Sequence, residues 1–150
     1  MGRVIFHVDV NSAFLSWEAV YRLYHLGGKV DLRTQVAAVG GDMAMRHGII
    51  LAKSIPAKKY HIQTGETILE AKQKCPDLLL VPPNYSLYEQ CSKAFMEVLL
   101  QYSPDVEQYS VDEAFIDMSG TDNLWGDPVT AANRIRAQIK EELGFTVNIG

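Results

Sequence analysis

The spacing of hydrophobic and polar positions changes along the chain, and each change marks an element. Residues 3–10 (RVIFHVDV) are β-branched and aromatic with polar residues interleaved, which predicts a strand with Asp9 near its C-terminal end. Ala13, Phe14, Trp17, Val20, Tyr21 and Tyr24 then recur at helical spacing, after a cap at Asn11 or Ser12 and before a stop at Gly27 and Gly28. Short strands are predicted over 35–39 and 48–52, with a turn at Gly40, Gly41 and Asp42. Ser54 caps a short helix that tolerates Pro56 in its first turn. Thr67 and Glu70 form a capping box for a helix that ends at Cys75, before Pro76. Residues 78–81 read as a short buried strand, and Pro82, Pro83 and Asn84 break the chain.

In the last third, Ser86 and Glu89 predict a second capping box. The helix after it presents Leu87, Cys91, Ala94, Phe95, Val98, Leu99 and Tyr102 on one face. Residues 106–109 and 114–118 pair as a hairpin. Asp127 and Pro128 open a helix that runs to Leu143, Gly144 stops it, and 145–149 form a final strand. With the block from Lys29 to Pro83 set aside, the order β-α-α-β-β-α-β resembles the split plan of ferredoxin-like sheets. The fold class is therefore α+β: an antiparallel sheet with helices on one face and a small α/β insertion.

Composition narrows the picture. At 150 residues the length prior gives one domain or two small ones, and folding buries roughly 70% of the extended chain's surface. A hydrophobic share of 47% excludes disorder and fibrous architectures. No apolar run is long enough for a membrane helix, and Cys75 and Cys91 make no disulfide framework, so a cytoplasmic protein with reduced thiols and no membrane partner is expected. His7, His25, His47 and His61 have no zinc-ligand spacing. The net charge of −4, from 14 basic and 18 acidic residues, argues by itself against a nucleic-acid binder.

The candidate chemistry lies in three carboxylates. Asp9 ends the first strand, and Asp112 with Glu113 lies inside the hairpin, whose strands are the natural neighbours of the first. Carboxylates brought that close repel unless cations neutralise them, and hard divalent ions such as Mg²⁺ suit their oxygens. Two such ions roughly 3.5–4 Å apart serve in-line phosphoryl transfer. Successive strand residues face opposite ways, so Asp112 and Glu113 need a turn or bulge to converge. A solvated turn is the plainer reading of an isolated Asp-Glu pair, but the apolar flank Tyr109, Val111, Ala114, Phe115 and Ile116 disfavours it.

These residues carry a family resemblance. Phe6 to Phe14 (FHVDVNSAF) with Glu18 resembles the opening motif of the Y-family translesion DNA polymerases, and Tyr109 to Asp117 (YSVDEAFID) resembles their second carboxylate motif. Ile50 to Ser54, Ala57 to Tyr60 and Thr64 to Glu66 are similar to the fingers segment of the bacterial DNA polymerase IV branch (ImpB/MucB/SamB-like), and Phe145 to Gly150 fits the strand that closes the palm.

The resemblance implies a palm over 1–20 and 85–150, fingers over 21–84, and a chain more than twice as long whose thumb and little-finger domains lie beyond this sequence. It implies a DNA-directed DNA polymerase that moves deoxynucleotides from dNTP to a primer 3′ end in damage tolerance. Asp9, Asp112 and Glu113, with the Val10 carbonyl, would hold two Mg²⁺ ions, for which Mn²⁺ can substitute. Asn11, Ser12, Ala13 and Phe14 would cradle the triphosphate, with Phe14 as the steric gate against a ribose 2′-hydroxyl, and Ser54 and Lys58 would assist. Lys58 stands where the family usually has arginine, and Ile55 where it often has tyrosine. Partners would be primer-template, dNTP and, through segments beyond this sequence, the sliding clamp. The basic surface would reside in those segments too, so the 150 residues alone would polymerise weakly or not at all. Arg46, which would lie on a fingers hairpin, reads as an exposed loop residue. Two alternatives compete with this reading: a haloacid-dehalogenase-like phosphatase, which wants an acid where Asn11 stands, and a non-catalytic nucleotide-binding module.

Overall fold

A computed structural model of the chain describes residues 3–41 and 48–150. Asp42 of the expected turn, together with Arg46 and His47, lies outside the described residues. The chain divides into two compact units, one comprising Met1–Asn11 and Tyr88–Gly150, the other Ser12–Leu87.

The first unit is built on a four-stranded sheet in the order β5-β6-β1-β7. Its strands are β1 (Ile5–Val10), β5 (Val106–Ser110), β6 (Glu113–Asp117) and β7 (Val147–Ile149), and every neighbouring pair is antiparallel. Alternation decides the faces. Phe6, Val8 and Val10 of β1, Ala114 and Ile116 of β6 and Val147 of β7 are buried on one side. The two long helices of the unit complete the core. The α4 helix (Tyr85–Leu100) buries Phe95, Val98 and Leu99, and α6 (Pro128–Leu143) buries Ile135 and Ile139. A short helix that the sequence pattern does not predict, α5 (Asp122–Trp125), ends in Trp125, which sets its ring 4.5 Å from that of Tyr102 and donates its Nε1–H to the Tyr102 carbonyl.

The caps explain why these helices begin and end where they do. Asp127 accepts from the Thr130 amide at 2.8 Å, which also holds its carboxyl below the ordinary range, and Pro128 follows in the first turn. Gly144 ends α6 at φ 84°, where a side chain would be strained. At α4 the expectation needs correcting. The cap is Asn84, whose Oδ1 accepts from the Leu87 amide at 3.2 Å, and Ser86 lies inside the helix. Asparagine is among the preferred cap residues, because its side-chain oxygen can accept from an amide in the first turn. The buried face is correspondingly Tyr88, Ser92, Phe95, Val98 and Leu99, while Leu87, Cys91 and Ala94 are only half-buried.

In the second unit a three-stranded sheet runs β3-β2-β4. Its strands are β2 (Ala37–Gly40), β3 (Ile50–Lys53) and β4 (Leu79–Val81); β2 pairs antiparallel with β3 and parallel with β4. Helix α1 (Ala13–Tyr24) packs against β2, β3 and a 3-10 turn at Leu32–Thr34. The α2 helix (Ile55–Lys58) and α3 (Ile68–Lys74) contribute Ala57 and Ala71 to a core with Ala38, Ile50, Ile62, Cys75 and Leu78. Thr67 caps α3 through the Glu70 amide, as its spacing predicts. Ser12 sits at the N-terminus of α1 in a left-handed conformation, φ 46°, with no side-chain cap bond.

One ion pair ties this unit together. Lys74 Nζ lies 2.6 Å from Glu66 Oε2 and donates to the His61 carbonyl at 2.9 Å. The Lys74 hydrogen bond holds the Glu66 carboxyl below its ordinary 4.5. A depressed carboxyl pKa stabilises the fold above the unfolded-state value, and that stabilisation is lost as pH falls through the folded-state value. Melting curves between pH 7 and 3 should show the parent losing stability below pH 4.5 more steeply than Glu66→Gln. Parallel curves would remove the pair from the stability of this unit.

Candidate metal centre and nucleotide site

Strand register brings the carboxylates together. In the β1–β6 ladder Asp9 stands opposite Glu113, His7 opposite Phe115 and Ile5 opposite Asp117. The Val10 amide donates to the Asp112 carbonyl at 2.9 Å, so Asp9 and Glu113 form a non-hydrogen-bonded pair, the kind in which side chains stand closer. Both point to the face opposite the apolar core. Asp112 joins them because it lies in the turn before β6, where β5 slips register between Gln108 and Ser110. The bulge that successive residues of opposite parity require is present.

Ser110 links the two halves of the Asp-Glu pair. Its Oγ lies 2.9 Å from Asp112 Oδ1 and 3.1 Å from Glu113 Oε2. One hydroxyl has one proton, so it serves one carboxylate at a time. His7 Nε2 lies 3.0 Å from Glu113 Oε1. Beyond these, the three carboxylates have no Lys or Arg ion pair among the described residues. Asp117, on the same face at the far end of the ladder, differs: Ser119 donates to it, Arg3 lies 3.6 Å away, and its pKa is lowered by the Ser119 hydrogen bonds and by Arg3.

Among the described residues no three His, Cys, Asp or Glu side chains are gathered closely enough to enclose an ion as they stand. The donor set nevertheless suits a hard divalent cation: three carboxylates at one sheet corner with few hydrogen-bond donors and, among the described residues, no Lys or Arg ion pair. Asn148 on β7 is the other cross-strand neighbour of Asp9 and was not singled out from the sequence.

The remaining candidates divide between the units. Asn11, in the first unit, donates its amide N–H to Thr146 Oγ1 at 2.9 Å and its backbone N–H to the Thr146 carbonyl at 3.0 Å. That amide stands where the phosphatase alternative needs an acid. Ser12, Ala13 and Phe14 open α1 in the second unit. Phe14 is half-buried, its ring 6.1 Å from Trp17 and edge-on to Tyr85 at 6.3 Å. Lys58 is exposed at the end of α2. Ser54 is 1% exposed, and its hydroxyl serves the fold: it accepts from the Ala57 and Ala37 amides and donates to the Gln35 carbonyl at 2.6 Å.

The charges divide with the units. The first carries twelve acidic and five basic residues, a net of −7; the second carries six and nine, a net of +3.

Comparison with known proteins gives a consistent result. The family model described as the impB/mucB/samB family matches residues 8–150. The chain is 50% identical over its whole length to a DNA polymerase IV of Clostridium acetobutylicum and 45% identical to one of Acetivibrio thermocellus. It spans about 37% and 36% of those relatives' lengths. Among solved structures it resembles an insertion ternary complex of the Dbh DNA polymerase (TM-score 0.80, 24% identity) and the DinB protein of Sulfolobus solfataricus (TM-score 0.80, 23% identity). Each likeness covers 97% of this chain and 41% of the other, and at those identities it speaks to the fold.

The Ser54 hydroxyl leads to a test. Ser54→Ala leaves the Ala37 amide and the Gln35 carbonyl without their partner inside the unit, and should cost about 1–3 kcal/mol of stability in denaturant unfolding. A change within measurement error would return the hydroxyl to the list of direct phosphate contacts.

Proposed function

Because the chain belongs to the impB/mucB/samB family, we propose that it is the palm and fingers part of a translesion DNA polymerase of the polymerase IV type. The observation that carries the reading is the register that sets Asp9 against Glu113, with Asp112 at the adjoining turn. In this reading the palm is residues 1–20 and 85–150 and the fingers 21–84. The reaction is template-directed transfer of a deoxynucleotide from dNTP to a primer 3′ end. Primer-template DNA and dNTP are the partners, the sliding clamp is engaged outside these residues, and the setting is the cytoplasm. Among the described residues no helix is long and apolar enough to cross a membrane.

Each residue has a role in this reading. Asp9, Asp112, Glu113 and the Val10 carbonyl hold two divalent ions, Mg²⁺ or Mn²⁺. The chemistry those ions supply when bound is activation of the primer hydroxyl and neutralisation of charge on the triphosphate. The backbone amides from Asn11 to Phe14 receive phosphate oxygens, as a helix N-terminus does. Phe14 excludes a ribose 2′-hydroxyl, braced by Trp17 and Tyr85. Lys58 offers the triphosphate a point charge, without the two-pronged geometry of arginine. Ser54 faces inward, so its contribution runs through the cap of the helix that carries Lys58. The division of charge supports the assignment: the acidic unit has the cation-binding groups and the basic unit suits phosphates.

Ligand linkage supplies the test. A ligand that binds only the folded chain at a hundred times its Kd adds about 2.7 kcal/mol of stability, roughly 5–10 °C in melting temperature at this size. Mn²⁺ with a deoxynucleoside triphosphate should produce a shift of that order in the parent, and Asp112→Ala should abolish it. An equal shift in Asp112→Ala, or none in the parent at millimolar ligand, would overturn the reading.

A further inference from the structure

We propose that His7 is a positioning residue for this centre: its Nε2–H fixes the Glu113 carboxylate, and Phe115 fixes the His7 ring. The inference rests on the metal-centre reading above and extends it to a side chain outside the metal ligands.

Strand parity comes first. His7 is two residues before Asp9, so both project from the same face of β1. Its directly opposed partner on β6 is Phe115, and Glu113 is its diagonal neighbour, a separation that a ring can span. The contact is made at 3.0 Å from His7 Nε2 to Glu113 Oε1. A neutral imidazole protonated at Nε2 donates this bond; a carboxylate only accepts.

The ring is held in turn. His7 and Phe115 have centroids 4.9 Å apart at a tilt of 36°, and Tyr109 stands edge-on to Phe115 at 5.9 Å. These three rings form a row across β1, β6 and β5 on the face opposite the core. Phe115, a large apolar side chain 36% exposed on that face, thereby acquires a use.

Glu113 is thus gripped from two sides, Oε1 by His7 and Oε2 by Ser110. A free glutamate samples many rotamers, and fixing one before the ion arrives removes that entropy from the binding step. The grip leaves room for an ion, because each carboxylate oxygen has a second lone-pair direction. His7 also supplies a donor beside Glu113, which offsets the repulsion from Asp9 across the ladder before a cation is bound. Groups that orient metal ligands in this way typically change metal affinity 10–100-fold when removed.

The experiment is Mn²⁺ binding to the 150-residue chain, followed by electron paramagnetic resonance without nucleotide. It compares the parent with His7→Ala, His7→Gln, Glu113→Ala and the double variant, each checked for folding by circular dichroism. His7→Ala should weaken binding about tenfold or more. His7→Gln, whose amide keeps an N–H donor, should recover most of the loss. In the Glu113→Ala background, His7→Ala should have no further effect, because its target is gone. Binding unchanged by His7→Ala, or weakened equally with and without Glu113, would overturn this inference and leave the metal centre standing. A parent that binds no Mn²⁺ would overturn both.

Discussion

Two carboxylates face each other in the β1–β6 ladder, Asp9 and Glu113, and a third hangs from the turn beside them. Like charges directly opposed in a sheet are destabilising. The register is nevertheless held, because the other face of the same strands buries Phe6, Val8, Val10, Ala114 and Ile116. A slip by one residue would turn that apolar set outward. Hydrogen bonds beyond the ladder's far end reinforce it: the Val4 amide donates to Ser119 Oγ at 2.8 Å and the Met118 amide to the Val4 carbonyl at 2.7 Å. The core thus holds in place an electrostatic conflict that the strands would avoid if only local preferences counted.

That conflict also explains how a net charge of −4 misleads. Read over the whole chain, it argues against a nucleic-acid binder. Divided between the compact units, it becomes −7 and +3. The excess acid accompanies Asp9, Asp112 and Glu113, and the excess base accompanies Lys53, Lys58 and Lys59. A whole-chain average removed the feature that mattered, which is the contrast between parts.

Local chemistry was the most legible layer of the sequence. Asp127 with Pro128, Thr67 with Glu70 and Ser54 with Pro56 each mark a real helix start, because a cap involves only residues three apart. Ser86 misled because Asn84, two positions earlier, has the same capping chemistry and takes the Leu87 amide. Helical periodicity identifies a buried face without naming what covers it. It is therefore silent on α1, which packs against β2, β3 and the 3-10 turn of the second unit. The short α5 has too few residues to show a period at all. At the site, adjacency of β1 and the hairpin and the need for a bulge were both readable. The partner of His7 was not, since diagonal contact depends on a register that emerges only when the strands pair.

The three carboxylates present six oxygens, and the side-chain donors that reach them among the described residues are one Ser110 hydroxyl, shared between Asp112 and Glu113, and one His7 N–H. Asp117, on the same face, receives a backbone donor from Ser119 and a guanidinium from Arg3. The same face therefore treats its acids in two ways. At one end charge is matched within the chain, and at the other it is left largely unmatched while Ser110 holds Asp112 and Glu113 and His7 holds Glu113. Unmatched charge in a held geometry is what a site needs when its neutralising partner is a cation from solution.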